Sequence, residues 1–212
     1  MGRWRSRESE CRHYRAYRRR IERHQNLLLD ELNHRVRNTL ATEQAMAIQT
    51  LKGVDTAARD AFIARLFALS GQHDLLAMDN WEGASLEEVV RRALRPWHDE
   101  ERARFVVDGP PQHMAPKQAL ALGMAFHELA TNAARFGALS NQTGQVRVNW
   151  SVRSTRLRFR WQEVCGPPVT APARRGFGLR LIEHGLAREV SGRVQVTFDP
   201  LGLICEWEMT RP

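Results

Sequence analysis

The chain has 212 residues, 42% of them hydrophobic and 26% charged, with a net charge of +8. This is ordinary globular composition, long enough to bury a core without staples and short enough for one or two domains. It excludes a membrane-spanning run, since the most apolar stretch, Ala119 to Phe126, is far too short. It also excludes a secretory leader in the arginine-rich first twenty residues, and a disulfide scaffold or zinc site built from Cys11, Cys165 and Cys205. A reducing, cytoplasmic setting is expected.

The charge is uneven. The first 24 residues carry nine arginines against three glutamates, so +6 of the +8 lies there. Residues 1–20 read as a basic arm, either a solvated helix extension or a contact for phosphates, acidic lipid or a partner. No groove-reading or base-stacking motif accompanies it, so a nucleic-acid partner is not expected.

Helical periodicity runs from Ile21 to Leu51, and again from Thr56 to Met78, with Asp55 as N-cap of the second helix. Two helices and a short loop predict an antiparallel hairpin over 21–80. Each helix has an apolar stripe that one neighbour does not cover, which predicts a four-helix bundle with a second copy; a monomer with an internally covered hairpin is the alternative. On a helical wheel, Leu28, Leu32, Val36 and Leu40 lie opposite His34, so His34 faces solvent. Its neighbours are Asp30, Glu31, Arg37 and Asn38. An imidazole whose proton is held by a carboxylate such as Glu31 keeps one nitrogen lone pair free for attack, and Arg37 would meet an incoming phosphoryl group. The alternative is an ordinary surface histidine.

From residue 81 the pattern changes. Ser85-Leu86-Glu87-Glu88 reads as a capping box that opens a helix to Trp97. A strand is expected over Arg104 to Val107. A long helix follows Pro116 and ends near Gly137. Gln145 to Val152 and Arg156 to Val164 read as a hairpin turning at Ser154-Thr155. A Gly/Pro/Arg loop, a helix from Leu179 to Val190, and strands over Val194 to Phe198 and Leu203 to Met209 complete an α+β region.

Within the long helix, Glu128, Asn132 and Arg135 are spaced i, i+4, i+7 and form one polar stripe. An amide oxygen can ligate a hard cation, a carboxylate can act as base, and arginine can hold phosphate. A solvated polar face is the plainer alternative. Gly176-Phe177-Gly178 stands before a helix, where backbone N–H groups can approach phosphate.

These segments, taken in order, resemble the HWE-type sensor histidine kinases. Glu31-Leu32-Asn33-His34-Arg35-Val36-Arg37-Asn38 is similar to their phosphoacceptor box. His127-Glu128-Leu129-Ala130-Thr131-Asn132-Ala133 resembles their N box, Trp161-Gln162-Glu163 their W-x-E element, and Gly176-Phe177-Gly178 a glycine box. The resemblance spans about Asn26 to Glu208. It implies a dimerization and phosphotransfer hairpin followed, over 81–212, by a Bergerat-type ATP-binding α/β sandwich. It implies His34 as the phosphorylated nucleophile, Asn132 as Mg²⁺ ligand with Glu128 as base or metal-water partner, and Arg135 on phosphate. Glu163 would bind adenine with Gly166 beside it, and Gly176 and Gly178 would line the phosphates. Glu31, Arg37, Asn38, His127 and Trp161 support the site.

The implied activity is an ATP-dependent protein-histidine kinase that uses Mg²⁺ and passes its phosphoryl group to an aspartate of a response regulator receiver domain. Arg37 and Arg135 stand where lysine is common, Leu179 where serine is common, and Cys165 replaces a glycine whose absence would crowd the adenine side. No PAS, light-sensing or transmembrane segment fits before Ile21, so the signal is expected from a separate partner or a short kinase. A non-catalytic phosphotransfer or scaffold protein with a degenerate nucleotide fold is the rival expectation.

Overall fold

The computed structural model describes residues 2–53, 55–78, 83–97 and 104–210. Helix α1 (Gly2–Thr50) is continuous, so the basic arm lies on the same helix as His34 rather than forming a separate element. A 3-10 turn, Leu51–Gly53, ends it. The Asp55 carboxylate accepts the Ala58 N–H at 2.9 Å and caps α2 (Thr56–Met78), satisfying one of the N–H groups the first turn leaves unpaired.

The two helices pack against each other. Among the described side chains of α1 the buried ones are Asn33, Leu40 and Ala47, seven residues apart. The expected stripe is therefore covered only at its Leu40 end. Leu28 and Leu32 remain 58% and 50% exposed, and Met46, Ile48, Phe62 and Phe67 are exposed too. The hairpin partner covers one flank of α1, and α2 is further covered by α3 and α4.

Residues 79–82, where the expected hairpin gives way to the α+β region, lie outside the described residues. Beyond them come β1 (Ala84–Ser85), α3 (Leu86–Leu94), β2 (Phe105–Asp108), β3 (His113–Met114) and α4 (Pro116–Phe136). Ser85 is the N-cap residue of α3, but its side chain makes no cap hydrogen bond. Instead Ser85 belongs to a two-strand pair with β3, and the Leu86 N–H goes to the Gln112 carbonyl at 2.8 Å. Proline at the first position of α4 costs no hydrogen bond there, and the Gly137 N–H closes the helix on the Ala133 carbonyl.

Strands β4 (Gln145–Arg153) and β5 (Arg156–Val164) form the expected hairpin. Helix α5 (Phe177–Arg180) continues through a π-helical stretch, Leu181–Leu186, into α6 (Ala187–Glu189). Strands β6 (Arg193–Asp199) and β7 (Gly202–Thr210) complete a five-stranded sheet in the order β2-β4-β5-β7-β6. The β2–β4 pair is parallel, and the other three are antiparallel.

Alternation sends Val146, Val148, Trp150, Leu157, Phe159, Trp161, Cys205, Trp207 and Met209 towards the helices. Phe126 of α4 sits at their centre, with ring centroids 5.3 Å from Phe159 and 5.5 Å from Trp207. Truncating so central a ring costs about 3–5 kcal/mol in cores of this kind. The other sheet face is a lattice of ion pairs. Glu208 pairs with both Arg156 and Arg158, and Glu206 with Arg160 at 2.6 Å. A shallow hollow of about 800 Å³ there is lined by these same charges.

Candidate nucleotide and phosphotransfer site

Helix α4 carries the polar stripe into a cleft of about 530 Å³ between itself and the Pro168–Leu179 segment. Glu128, Asn132 and Arg135 line it from the helix, Glu163 from the end of β5, and Gly176 and Gly178 from the start of α5. Six of the residues expected to act on nucleotide thus converge on one cleft. Gly166 stands just outside, in an adjoining hollow that shares Glu163 and Pro168, with its Cα packed against the Ala138 backbone.

Glu163 is 3% exposed. One carboxylate oxygen accepts the Ala138 N–H at 2.8 Å, and the other faces the Trp161 indole N–H at 3.4 Å. Burial raises the pKa of this carboxyl, against the lowering effect of those two donors. Trp161 and Glu163 share a face of β5, which is the physical content of the W-x-E spacing. A Cβ on Gly137 would overlap Glu163, so glycine at the helix end makes room for the acid. The loop that carries Ala138 is held by Arg104, whose guanidinium donates to the carbonyls of Ala138, Leu139, Asn141 and Gly144.

Glu128 is 2% exposed, so this part of the stripe is not a solvated face. Its carboxylate is held by the Arg65 guanidinium of α2, with Nε to Oε1 at 2.5 Å and the second nitrogen to Oε2 at 2.9 Å. Arg65 also lies over the Phe177 ring, 4.7 Å from its centroid. A Cβ on Gly178 would overlap Glu128 Oε2, so this glycine makes room for the carboxylate itself. Sequence reading missed Arg65. Its signal was faint: a lone charge in the apolar run 61–69 of α2.

His127 is buried, with its ring 5.1 Å from that of Trp97. Burial lowers its pKa. It is a packing residue behind the stripe. Cys165 has φ 57°, a left-handed conformation that glycine adopts more readily. Its carbonyl accepts from Asn141 and Thr143, and it is exposed in the adjoining hollow rather than crowding the cleft.

On α1, His34 is exposed as expected. Its Nδ1 meets the Asn38 amide at 3.2 Å. Glu31 is not its partner: the carboxylate is taken by Arg35 at 2.8 Å, and Arg35 lowers its pKa. An i,i+4 pair with Glu on the N-terminal side is the better helical geometry. Arg37 faces Asp74 of α2 at 3.6 Å.

A buried carboxylate at one end of the cleft, guanidinium groups on its rim and a glycine loop before a helix fit a nucleotide with its phosphates. No cluster of three or more His, Cys, Asp or Glu able to cage a metal occurs among the described residues. Asn132 and Glu128 fit a cation that arrives with phosphates and keeps its waters.

A helical hairpin joined to an α/β sandwich with this cleft defines the phosphotransfer and catalytic core of a histidine kinase. Comparison with known proteins narrows the class. The HWE histidine kinase model matches residues 31–111. Blue-light-activated histidine kinases are similar over 195 residues, that of Brucella ovis at 37% identity and that of Brucella anthropi at 34%. Each alignment covers 89% of this chain and 40% of the relative, so the chain spans well under half the length of these curated relatives. The histidine kinase domain of the Erythrobacter litoralis EL346 blue-light-activated histidine kinase has the same fold, with TM-score 0.59 and 22% identity over 88% of this chain and 92% of that one. The chain is thus similar to the HWE histidine kinases, by the family model over 31–111 and by its relatives over most of its own length.

Proposed function

We propose that this chain is the kinase core of a two-component system: His34 takes the γ-phosphoryl of Mg-ATP and passes it to an aspartate of a response regulator receiver domain. The observation that carries this reading is the convergence of Glu128, Asn132, Arg135, Glu163, Gly176 and Gly178 on one cleft, with His34 exposed on a separate helix. Residues 21–80 act as the phosphotransfer hairpin and 81–212 as the nucleotide domain.

Glu163 receives the adenine amino group while the Trp161 and Ala138 N–H groups hold its carboxylate in place. Gly176 and Gly178 let backbone approach the phosphates, and Arg135 balances their charge. Mg²⁺, held by Asn132 and the phosphates, supplies charge neutralisation at the transferred group. With its amide turned so that the oxygen accepts from His34 Nδ1–H, Asn38 leaves the Nε2 lone pair free to form the N–P bond as the β–γ bridging P–O bond breaks and ADP leaves. Glu128 takes the imidazole proton or orders a metal water. The exposed leucines of α1 favour a homodimer through the hairpin. The named stimulus of the relatives is blue light; here the input comes from a sensor outside these elements.

The test is label from γ-labelled ATP on the wild-type chain and on His34→Gln. The expected phosphate is acid-labile and base-stable, and absent from the variant. Retained label in His34→Gln sinks the mechanism. Calorimetry with Mg-ATP separates this reading from a non-catalytic scaffold, which would bind none.

A further inference from the structure

Arg65 belongs to the hairpin, and Glu128 to the nucleotide domain. Their bidentate pair is one of several contacts that dock the nucleotide domain on α2, beside fully buried Leu76 and the Asp74–Arg92 pair at 3.9 Å. Another is Gln72, whose buried side chain lies where Gly123 has no Cβ. Residues 65 and 72 on α2 meet 128 and 123 on α4, so the helices run antiparallel through two fixed points.

This docking places the cleft away from His34. Arg37 faces Asp74, which marks the level of the phosphoacceptor region on α2. Arg65 lies nine residues nearer the hairpin loop than Asp74, and His34 nearly a turn further from the loop than Arg37. At the helical rise, Arg65 and His34 are about 18 Å apart along the hairpin. Attack on phosphorus needs a separation of about 3–3.5 Å.

Glu128 is also occupied. A carboxylate that receives a guanidinium on both oxygens has its two facing lone pairs taken and its charge balanced, which leaves it a poorer base and a weaker partner for a metal water. The docked interface is imperfect in another respect: Gln72 Oε1 is buried with no hydrogen-bond partner among the described residues. That atom is better served by water when the domains part.

We propose that Arg65 is a positioning residue of the kinase reaction. It latches Glu128 and parks the nucleotide domain on the hairpin below His34, and the reaction requires that latch to open. The inference rests on the reading of Glu128 as a working residue of a kinase. Opening follows from nucleotide itself. Arg65 lies on Phe177, inside the glycine segment that lines the cleft, so incoming polyphosphate offers the guanidinium a competing anion. Without Arg65, the docked form would hold an unpaired buried carboxylate, and undocking returns that carboxylate to water.

The experiment uses the full chain with Arg65→Gln and Arg65→Lys. Autophosphorylation at saturating Mg-ATP is expected to rise about threefold or more in R65Q, with R65K falling between. A purely structural arginine would instead lower the rate in both variants. Small-angle scattering without nucleotide reads docking independently of turnover, and R65Q is expected to show a larger radius of gyration than wild type. An unchanged radius overturns the latch even if wild type proves inactive, whereas inactivity of wild type overturns the kinase reading alone. An unchanged or reduced rate in R65Q overturns the latch in an active protein.

Discussion

The indole Nε1 of Trp161 and Oε1 of Glu163 face each other at 3.4 Å, two residues apart on one strand and both on the core side of the sheet. The tryptophan thus fills the core and also holds the buried acid at one end of the cleft, where adenine is proposed to bind.

Trp161→Phe keeps most of the packing and removes that donor. The contact is long, so the loss is modest: nucleotide affinity should fall about three- to tenfold, roughly 1 kcal/mol. Calorimetry with a non-hydrolysable ATP analogue measures it. Affinity equal to wild type would show that Ala138 alone orients Glu163.

Gly178 and Gly176 separate the close approach from the loop. Gly178→Ala drives a Cβ into Glu128, so it should cost about 1–3 kcal/mol of stability and cut autophosphorylation at least tenfold. Gly176 has φ −71° and no protein atom near a built Cβ, so Gly176→Ala should fold as stably as wild type, its cost confined to nucleotide affinity. Equal behaviour of the two variants in denaturation and labelling would contradict the assigned contact.

Much of this architecture is readable in the residues, and the exceptions have causes. Pro116 and Gly137 bracket α4 because one suits a first turn and the other yields space to Glu163. The β4–β5 hairpin follows from strict alternation on either side of Ser154, whose φ of 52° makes the turn. The β1–β3 pair is invisible because two residues carry no period. The parallel β2–β4 pairing needs a partner forty residues away. Arg65 has no local motif either: its partner is 63 residues distant. Glu31 was misassigned to His34 because a wheel gives directions, whereas Arg35 at i+4 competes for the same carboxylate.

Acid should weaken the fold through its histidines. Burial lowers the pKa of His127, and of His73 on α2. Each then binds fewer protons folded than unfolded in the interval below the unfolded value near 6.5. Their contribution is full above that value and is lost as pH falls towards the folded pKa. Urea denaturation of wild type and His127→Phe between about pH 7 and 5.5 reads the effect, and the variant should lose less stability. Glu163, raised by burial, acts with the opposite sign in this window but is common to both proteins. Parallel curves would remove His127 from the account.

The open leucines predict assembly. Replacing Leu28 and Leu32 together by Glu should convert a dimer to a monomer in sedimentation, while Mg-ATP binding in the separate cleft is retained. A wild-type protein that sediments as a monomer would overturn the bundle.

The outer face of the sheet carries its own counter-charges, Glu206 and Glu208 spread among Arg156, Arg158 and Arg160. That side stays hydrated whichever way the nucleotide domain turns. Resistance to rotation is gathered on the hairpin side, where the Arg65–Glu128 grip is shared with Gln72, Leu76 and the Asp74–Arg92 pair, so the strength of that one face sets how freely the sandwich can swing.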